Sequence, residues 1–168
     1  MIRYEFSQEE RDAVSSQFAD HTYPGQAKLL YCWETNVFTE RSTQELTLDE
    51  CRDLIQNIWS KQLCLTAPVP SVLDGRGSID ARTTGSSIHL PRWARNKPIV
   101  IHELAHFVTD LFDVQSSIDH SSKYVQVYLT LLGSNTRYKY TALRTSARKY
   151  GLTVSNMNVW EKLKPFRA

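Results

Sequence analysis

The feature that most constrains this 168-residue chain is a pair of histidines four residues apart, in the segment His102-Glu103-Leu104-Ala105-His106. Residues four apart on an α-helix share one face, so both imidazoles can reach a single tetrahedral metal ion. Glu103 is turned by roughly 100° around the helix, which can place its carboxylate beside a metal-bound water rather than on the metal. The segment therefore predicts a metal site with a general base next to it.

The residues around this segment predict a buried central helix. Asn96 is a suitable N-cap, Pro98 fits the first turn, and the residues from Ile99 to about Phe112 are apolar nearly all round. If His102 and His106 were ordinary core histidines, Glu103 would be a buried carboxylate without a partner, which is energetically costly. We therefore expect a metal site on this helix.

A catalytic zinc usually has three protein ligands and a water, so a third ligand is required. The metzincin pattern is excluded, because Thr109 and Phe112 stand where it needs a glycine and a histidine. A glutamate ligand is disfavoured, because 107–160 contains none. The one histidine downstream of the motif is His120, and we expect it to complete a site for one Zn²⁺ per chain. Three downstream aspartates remain as alternatives: Asp110, Asp113 and Asp119.

Three further side chains are candidates for roles near such a site. Tyr124 could donate to a developing oxyanion, or it could anchor the following helix in the core. His89 belongs to a predicted strand, where it is either an ordinary strand residue or a proton donor on the substrate side; an edge strand there could bind an extended peptide. Asp110, one turn after His106, could orient a ligand histidine or lie on the helix surface.

Local patterns elsewhere predict an α+β fold. A capping box begins a helix at Thr47, the dipeptide Thr84-Gly85 connects two short strands, and Gly151 ends a late helix. The expected strands are 28–34, 78–83 and 86–90, and the expected later helices are 121–132 and 136–150. We predict a single compact domain over 1–168, with a small mixed or antiparallel sheet packed on the central helix.

Composition limits the classes of protein to consider. Hydrophobic residues make up 41% and charged residues 23%, as in a soluble globular protein, and no run reaches membrane-spanning length. The N-terminus lacks the features of a secretory signal. The three cysteines, Cys32, Cys51 and Cys64, contain no CxxC pair, so we expect buried thiols in a reducing cytoplasm.

The charge of the chain is unevenly distributed. From Arg137 to Ala168 the only acidic residue is Glu161, whereas basic residues recur throughout. Such a region could contact nucleic acid or a protein assembly, or it could be an ordinary solvated surface.

The histidine motifs resemble those of known metalloproteases. The HELAH segment, followed by a loop and His120-Ser121-Ser122-Lys123-Tyr124, is similar to the HExxH plus HxxxF arrangement of SprT-like metalloproteases, the group that includes Spartan. Closer still is the likeness to a family of small HExxH metallohydrolases best known from actinobacteria. Further resembling segments are Tyr31-Cys32-Trp33-Glu34, 88–94, 99–106 and 147–152.

This resemblance implies a zincin-like fold with His102, His106 and His120 on zinc and Glu103 as the catalytic acid and base. It implies no substrate, and the chain lacks the C-terminal zinc ribbon of SprT proteins. Ser121 stands where the family often has glycine, and a tyrosine replaces the family's phenylalanine at 124. We therefore expect a zinc metallohydrolase acting on a protein or peptide. The alternative is a non-catalytic zinc-containing module that binds through its basic C-terminal region.

Overall fold

The computed structural model describes residues 25–38 and 44–168. In these residues the chain forms helices around one small sheet, so the predicted α+β class is confirmed. The helices are α1 (Ala27–Val37), α2 (Leu48–Asn57), α3 (Lys97–Asp110), α4 (Val114–Ile118), α5 (Ser122–Asn135), α6 (Tyr140–Lys149) and α7 (Val159–Leu163). The strands are β1 (Ser71–Asp74), β2 (Arg82–Thr84) and β3 (Ser87–Leu90).

The sheet is mixed, with the strand order β1-β3-β2. Strand β3 runs parallel to β1 and antiparallel to β2, and Ile88 pairs with Val72 on one side and Thr83 on the other. The turn between β2 and β3 contains Gly85 at φ +54°, as the predicted hairpin requires. Strand β1 was not predicted. Among the described residues β2 pairs only with β3, which leaves β2 at an edge of the sheet.

Helix α3 is the central element of the core, as its apolar sequence predicts. The Asn96 side chain accepts a hydrogen bond from the Ile99 amide at 3.2 Å, and Pro98 occupies the first turn. The helix packs against α5, α4, α2 and the sheet, so most of its side chains are buried. This packing fixes the direction of the two motif histidines.

The first predicted strand is wrong, because residues 28–34 belong to helix α1. The buried residues Ala27, Leu30 and Trp33 recur every three positions and form one face of the helix. The periodicity of a short aromatic and apolar run fits a buried turn of helix as well as a strand. In this chain, packing favours the helix.

The later helices differ from prediction mainly at their ends. The polar stretch after α3 contains the short helix α4, and α6 begins at Tyr140 rather than Thr136. Gly151, at φ +85°, ends α6 as predicted. Helix α7 was not predicted.

Two of the three cysteines lie in the core, as predicted. Burial raises the pKa of the Cys32 thiol, and it raises the pKa of Cys51 to about 11. The prediction is wrong for Cys64, which is exposed at the end of a π-helical turn (Ile58–Leu63).

Within the described ranges, no helix is both long enough and apolar enough to cross a bilayer.

Candidate metal centre

Three histidine side chains converge at the centre of the molecule. His102, His106 and His120 each present a ring nitrogen, and these three atoms lie within 4.8 Å of one another. The Nε2 atoms of His102 and His120 are 3.3 Å apart. Two nitrogens bound to one tetrahedral zinc at about 2.0–2.1 Å would be separated by about 3.3 Å. The cluster could therefore hold a metal ion, and the predicted third residue lies beside the first two.

The third histidine is placed by a short connection between two helices. His120 follows α4 with a backbone φ of +48°, in the left-handed region that few residues other than glycine adopt. Ser121 is the N-cap of α5, and its side chain accepts a hydrogen bond from the Lys123 amide at 3.3 Å. The turn directs the His120 ring back to His102 and His106 on α3. Backbone strain of this kind is often found at functional sites.

The buried environment keeps two of the imidazoles neutral. Burial lowers the pKa of His106 to about 2 and that of His120 to about 3, and the charge of His102 acts in the same direction. At His102 burial also acts to lower the pKa, but the charge and hydrogen bond of Glu34, together with the charge of Glu103, outweigh it and the net shift is upward. His106 and His120 thus have lone pairs available to a metal ion at neutral pH.

The motif glutamate is buried beside the cluster. Glu103 is 5% exposed, and its Oε2 accepts a hydrogen bond from the Thr83 hydroxyl of β2 at 2.8 Å. Burial raises its pKa; His102 and Thr83 oppose this shift, while the charges of Glu34 and Asp80 add to it. Glu103 therefore has the partner that a buried carboxylate needs.

Two side chains to which the sequence analysis gave no role contact the clustered histidines. His102 Nδ1 lies 2.8 Å from Oε1 of Glu34, and His106 Nδ1 lies 3.0 Å from Oγ of Ser117. With Nδ1 engaged, each ring turns its Nε2 atom to the cluster. Glu34 belongs to α1, and Ser117 belongs to α4.

A tyrosine from the same face of α1 lies against the cluster. Tyr31 stacks on the His102 ring with centroids 5.8 Å apart, and it meets the His120 ring edge-on at 5.7 Å. Tyr31 and Glu34 are three residues apart, so a helix places them on one face, whereas a strand would place them on opposite faces. The incorrect strand prediction therefore concealed both residues.

Tyr124 is fully buried beneath the three histidines. Its ring centroid lies 4.6 Å from that of His106 and 4.7 Å from that of His120. The hydroxyl donates to the His102 carbonyl at 2.9 Å, and burial raises the pKa of the phenol well above its usual value. These contacts favour a role for Tyr124 in anchoring its helix over a role in donating to an oxyanion, because its hydroxyl already donates to the backbone of α3.

The structure separates His89 from the cluster. It lies on β3, the middle strand, and alternates with Ile88 and Leu90, which are fully buried. Its side chain therefore lies on the opposite face of the sheet from these core residues. The expectation that His89 lies on an edge strand is wrong, and in the described residues the free edge beside the site belongs to β2.

Asp110 lies near the site but is not seen to contact a ligand ring directly. Burial raises its pKa, and a hydrogen bond with the Ser117 side chain opposes this shift. Ser117 is the residue whose hydroxyl lies beside His106 Nδ1. Any effect of Asp110 on His106 would therefore pass through Ser117.

No family model, no curated protein and no solved structure matches this chain. The chemistry of the cluster must consequently be argued from its own geometry. Three convergent imidazoles, a buried carboxylate next to them and an adjacent strand edge form a site that could bind a metal ion.

Proposed function

We propose that the chain is a zinc-dependent metallohydrolase with a zincin-like fold, most closely allied to the small HExxH metallohydrolases, and that it acts as a peptidase. The observation that carries this proposal is the position of Glu103, buried next to three convergent histidines but not itself one of the converging donors. A purely structural zinc site usually has four protein ligands and needs no such carboxylate.

The donor set fits zinc better than the common alkaline-earth ions. Imidazole nitrogens are usual zinc ligands, whereas Mg²⁺ and Ca²⁺ prefer oxygen. The three histidines leave one position of a tetrahedron for water or substrate, as catalytic zinc sites do. The neutral state of His106 and His120 means that few protons need to be displaced on binding.

The chain itself would supply the proton transfer. Zinc, when bound, polarises a carbonyl oxygen and lowers the pKa of water toward about 7. Thr83 holds Oε2 of Glu103, leaving Oε1 to take the proton of the attacking water. Glu103 then returns a proton to the leaving amine as the amide C–N bond breaks. Its raised pKa suits a group that must act as base and then as acid.

The edge of the sheet favours an extended peptide as substrate. Strand β2 carries Thr83, whose hydroxyl contacts Glu103, so the edge of the sheet and the catalytic carboxylate are adjacent. An exposed strand edge can bind a peptide through main-chain hydrogen bonds. Amide hydrolysis on a small molecule would use the same chemistry without this pairing.

The decisive experiment combines zinc analysis with a Glu103→Gln variant, tested on a broad peptide library. We expect one zinc per chain in both proteins, with hydrolysis lost only in the variant. Glu161→Gln, an exposed change far along the chain, is the matched control and should retain activity. Equal inertness of zinc-loaded wild type and Glu103→Gln would favour the binding-module alternative.

The third ligand has a separate test. His120→Ala should lower the affinity for zinc strongly, whereas His89→Ala should leave it unchanged, because the structure places His89 away from the cluster. Zinc affinity that survives His120→Ala would exclude His120 as a ligand and return attention to the nearby aspartates.

The basic C-terminal region remains the basis of the alternative proposal. Some of its charges already have partners: Arg144 contacts Asn156, Arg167 lies over the Trp160 ring, and Lys164 pairs with Glu161. Arg148 and Lys149 are exposed at the end of α6. Salt-dependent retention on DNA, lost when these last two are neutralised, would support nucleic-acid binding.

A further inference from the structure

We infer that Glu34 is the positioning residue of the metal centre, fixing the His102 ring so that Nε2 is its metal-binding atom. This inference rests on the proposed function, because it concerns the same three-histidine site. It gives a role to helix α1, which contributes no ligand of its own.

The contact between Glu34 and His102 is short and shielded from solvent. Oε1 of Glu34 lies 2.8 Å from Nδ1 of His102, and the two side chains are only 16% and 6% exposed. A carboxylate at this atom accepts a hydrogen bond from a protonated Nδ1, so the lone pair of the ring lies on Nε2. A carboxylate behind a ligand histidine also increases the electron density that the ring offers to a metal.

The arrangement around Glu34 limits how the carboxylate can move. The Tyr128 hydroxyl, which donates to the Pro98 carbonyl at 3.3 Å, lies near the Glu34 carboxylate, and the Tyr128 ring lies 5.4 Å from the His102 ring. Tyr31, on the same helix as Glu34, stacks on the His102 ring. The His102 ring thus contacts two tyrosine rings while Glu34 sets its rotation.

The three histidines are not supported equally. His102 has a carboxylate at Nδ1 and His106 has the weaker hydroxyl of Ser117, whereas among the described residues His120 has only a backbone contact, with Ile118, and no side-chain acceptor at Nδ1. A charged acceptor makes a stronger hydrogen bond than a neutral one. Loss of Glu34 should therefore weaken metal binding more than loss of the Ser117 hydroxyl.

The test measures zinc affinity by competition with a chelator in four proteins: wild type, Glu34→Gln, Glu34→Ala and Ser117→Ala. We expect Glu34→Ala to lower the affinity by about 10- to 100-fold. Glu34→Gln keeps an acceptor oxygen but no charge, so its affinity should lie between those of wild type and Glu34→Ala. Ser117→Ala should lose less than Glu34→Ala.

A second measurement distinguishes positioning from general structural damage. Nitrogen NMR of the metal-free protein, recorded at a pH high enough for the His102 ring to carry one proton, should place that proton on Nδ1 in wild type and Glu34→Gln, and on a mixture of nitrogens in Glu34→Ala. Unchanged zinc affinity and an unchanged tautomer in a folded Glu34→Ala protein would overturn the inference. If wild type binds zinc but hydrolyses nothing, the proposed function fails, whereas the affinity series still decides the role of Glu34.

Discussion

Thr83 is the one side chain from the sheet seen to touch the proposed catalytic carboxylate. Its hydroxyl donates to Oε2 of Glu103 at 2.8 Å and lies 3.2 Å from the Glu103 carbonyl. Because Glu103 is buried, this hydrogen bond stabilises a charge that has little contact with water. Thr83 therefore affects both the stability of the fold and the protonation of Glu103.

Replacing this hydroxyl by a methyl group should affect both properties. Thr83→Val leaves Glu103 without its donor, and we expect a loss of about 1–3 kcal/mol in the free energy of unfolding. The pKa of Glu103 should rise further, since Thr83 acts to lower it. The acid limb of any pH–rate profile should then move to higher pH. Thr84→Val, on the same strand but exposed, is the control for strand propensity and should change neither quantity appreciably.

Asp113 gives a pH dependence that is independent of the three clustered histidines. Its carboxylate accepts hydrogen bonds from Lys123 and from the side chain and amide of Ser116, and these lower its pKa from 3.8 to about 2. A carboxyl whose folded pKa is depressed stabilises the fold above its unfolded pKa, and the contribution is lost as the pH falls toward the folded value.

The corresponding variant is Asp113→Asn, which keeps an N-cap acceptor but removes the charge. The variant should be less stable than wild type at pH 5, and the difference should shrink as the pH falls from about 4 toward about 2. Urea unfolding at several pH values measures it. A difference that stays constant over this range would show that the charge of Asp113 makes no contribution.

At the scale of elements, α1 brings its side chains to the site through one close backbone contact. Gly25, at φ +57°, precedes the helix, and a Cβ placed there would lie 1.8 Å from the Asp119 carbonyl oxygen. The next amide, of Gln26, donates to the same oxygen at 3.3 Å. The start of α1 is thereby attached to the residue before His120.

Gly25→Ala should displace this helix. We expect a lower free energy of unfolding and a lower zinc affinity, because α1 carries Glu34 and Tyr31. Gly85→Ala is a matched control, since Gly85 has nearly the same φ of +54° but open space where its Cβ would be. If the two variants lose equal stability and neither loses zinc affinity, the contact with Asp119 has no role in positioning α1.

Elements with local signals could be predicted from sequence, and those that depend on distant contacts could not. The capping box at Thr47 and the cap at Asn96 both form as expected, because each is decided within four residues. The spacing of His102 and His106 likewise follows from helix geometry alone. Glu34 is 68 residues from His102, and no short-range pattern connects them. The helical state of α1, which brings them together, is decided by burial of Trp33 and its neighbours.

For the whole molecule, metal binding and folding should be coupled. The three histidines meet only when α3 and the turn before α5 pack together, so a bound ion favours the folded state. At free zinc a hundredfold above the dissociation constant, the free energy of unfolding should rise by about 2.7 kcal/mol. Thermal unfolding with and without chelator measures this shift. Mg²⁺ at the same concentration should give none, and a zinc effect retained in His120→Ala would contradict the coupling.

The sequence positions of the cluster also bear on how the site assembles. His102 and His120 are 18 residues apart, so the three imidazoles are gathered by closing one short stretch of chain. Glu34 is 68 residues from His102 in the sequence, so its contact with the cluster closes a much longer loop. Closing a short loop costs less entropy and occurs faster than forming a distant contact. Although α1 is synthesised before α3, we expect its contact with the cluster to form late, so that the three histidines can come together before the helix that orients His102 has docked.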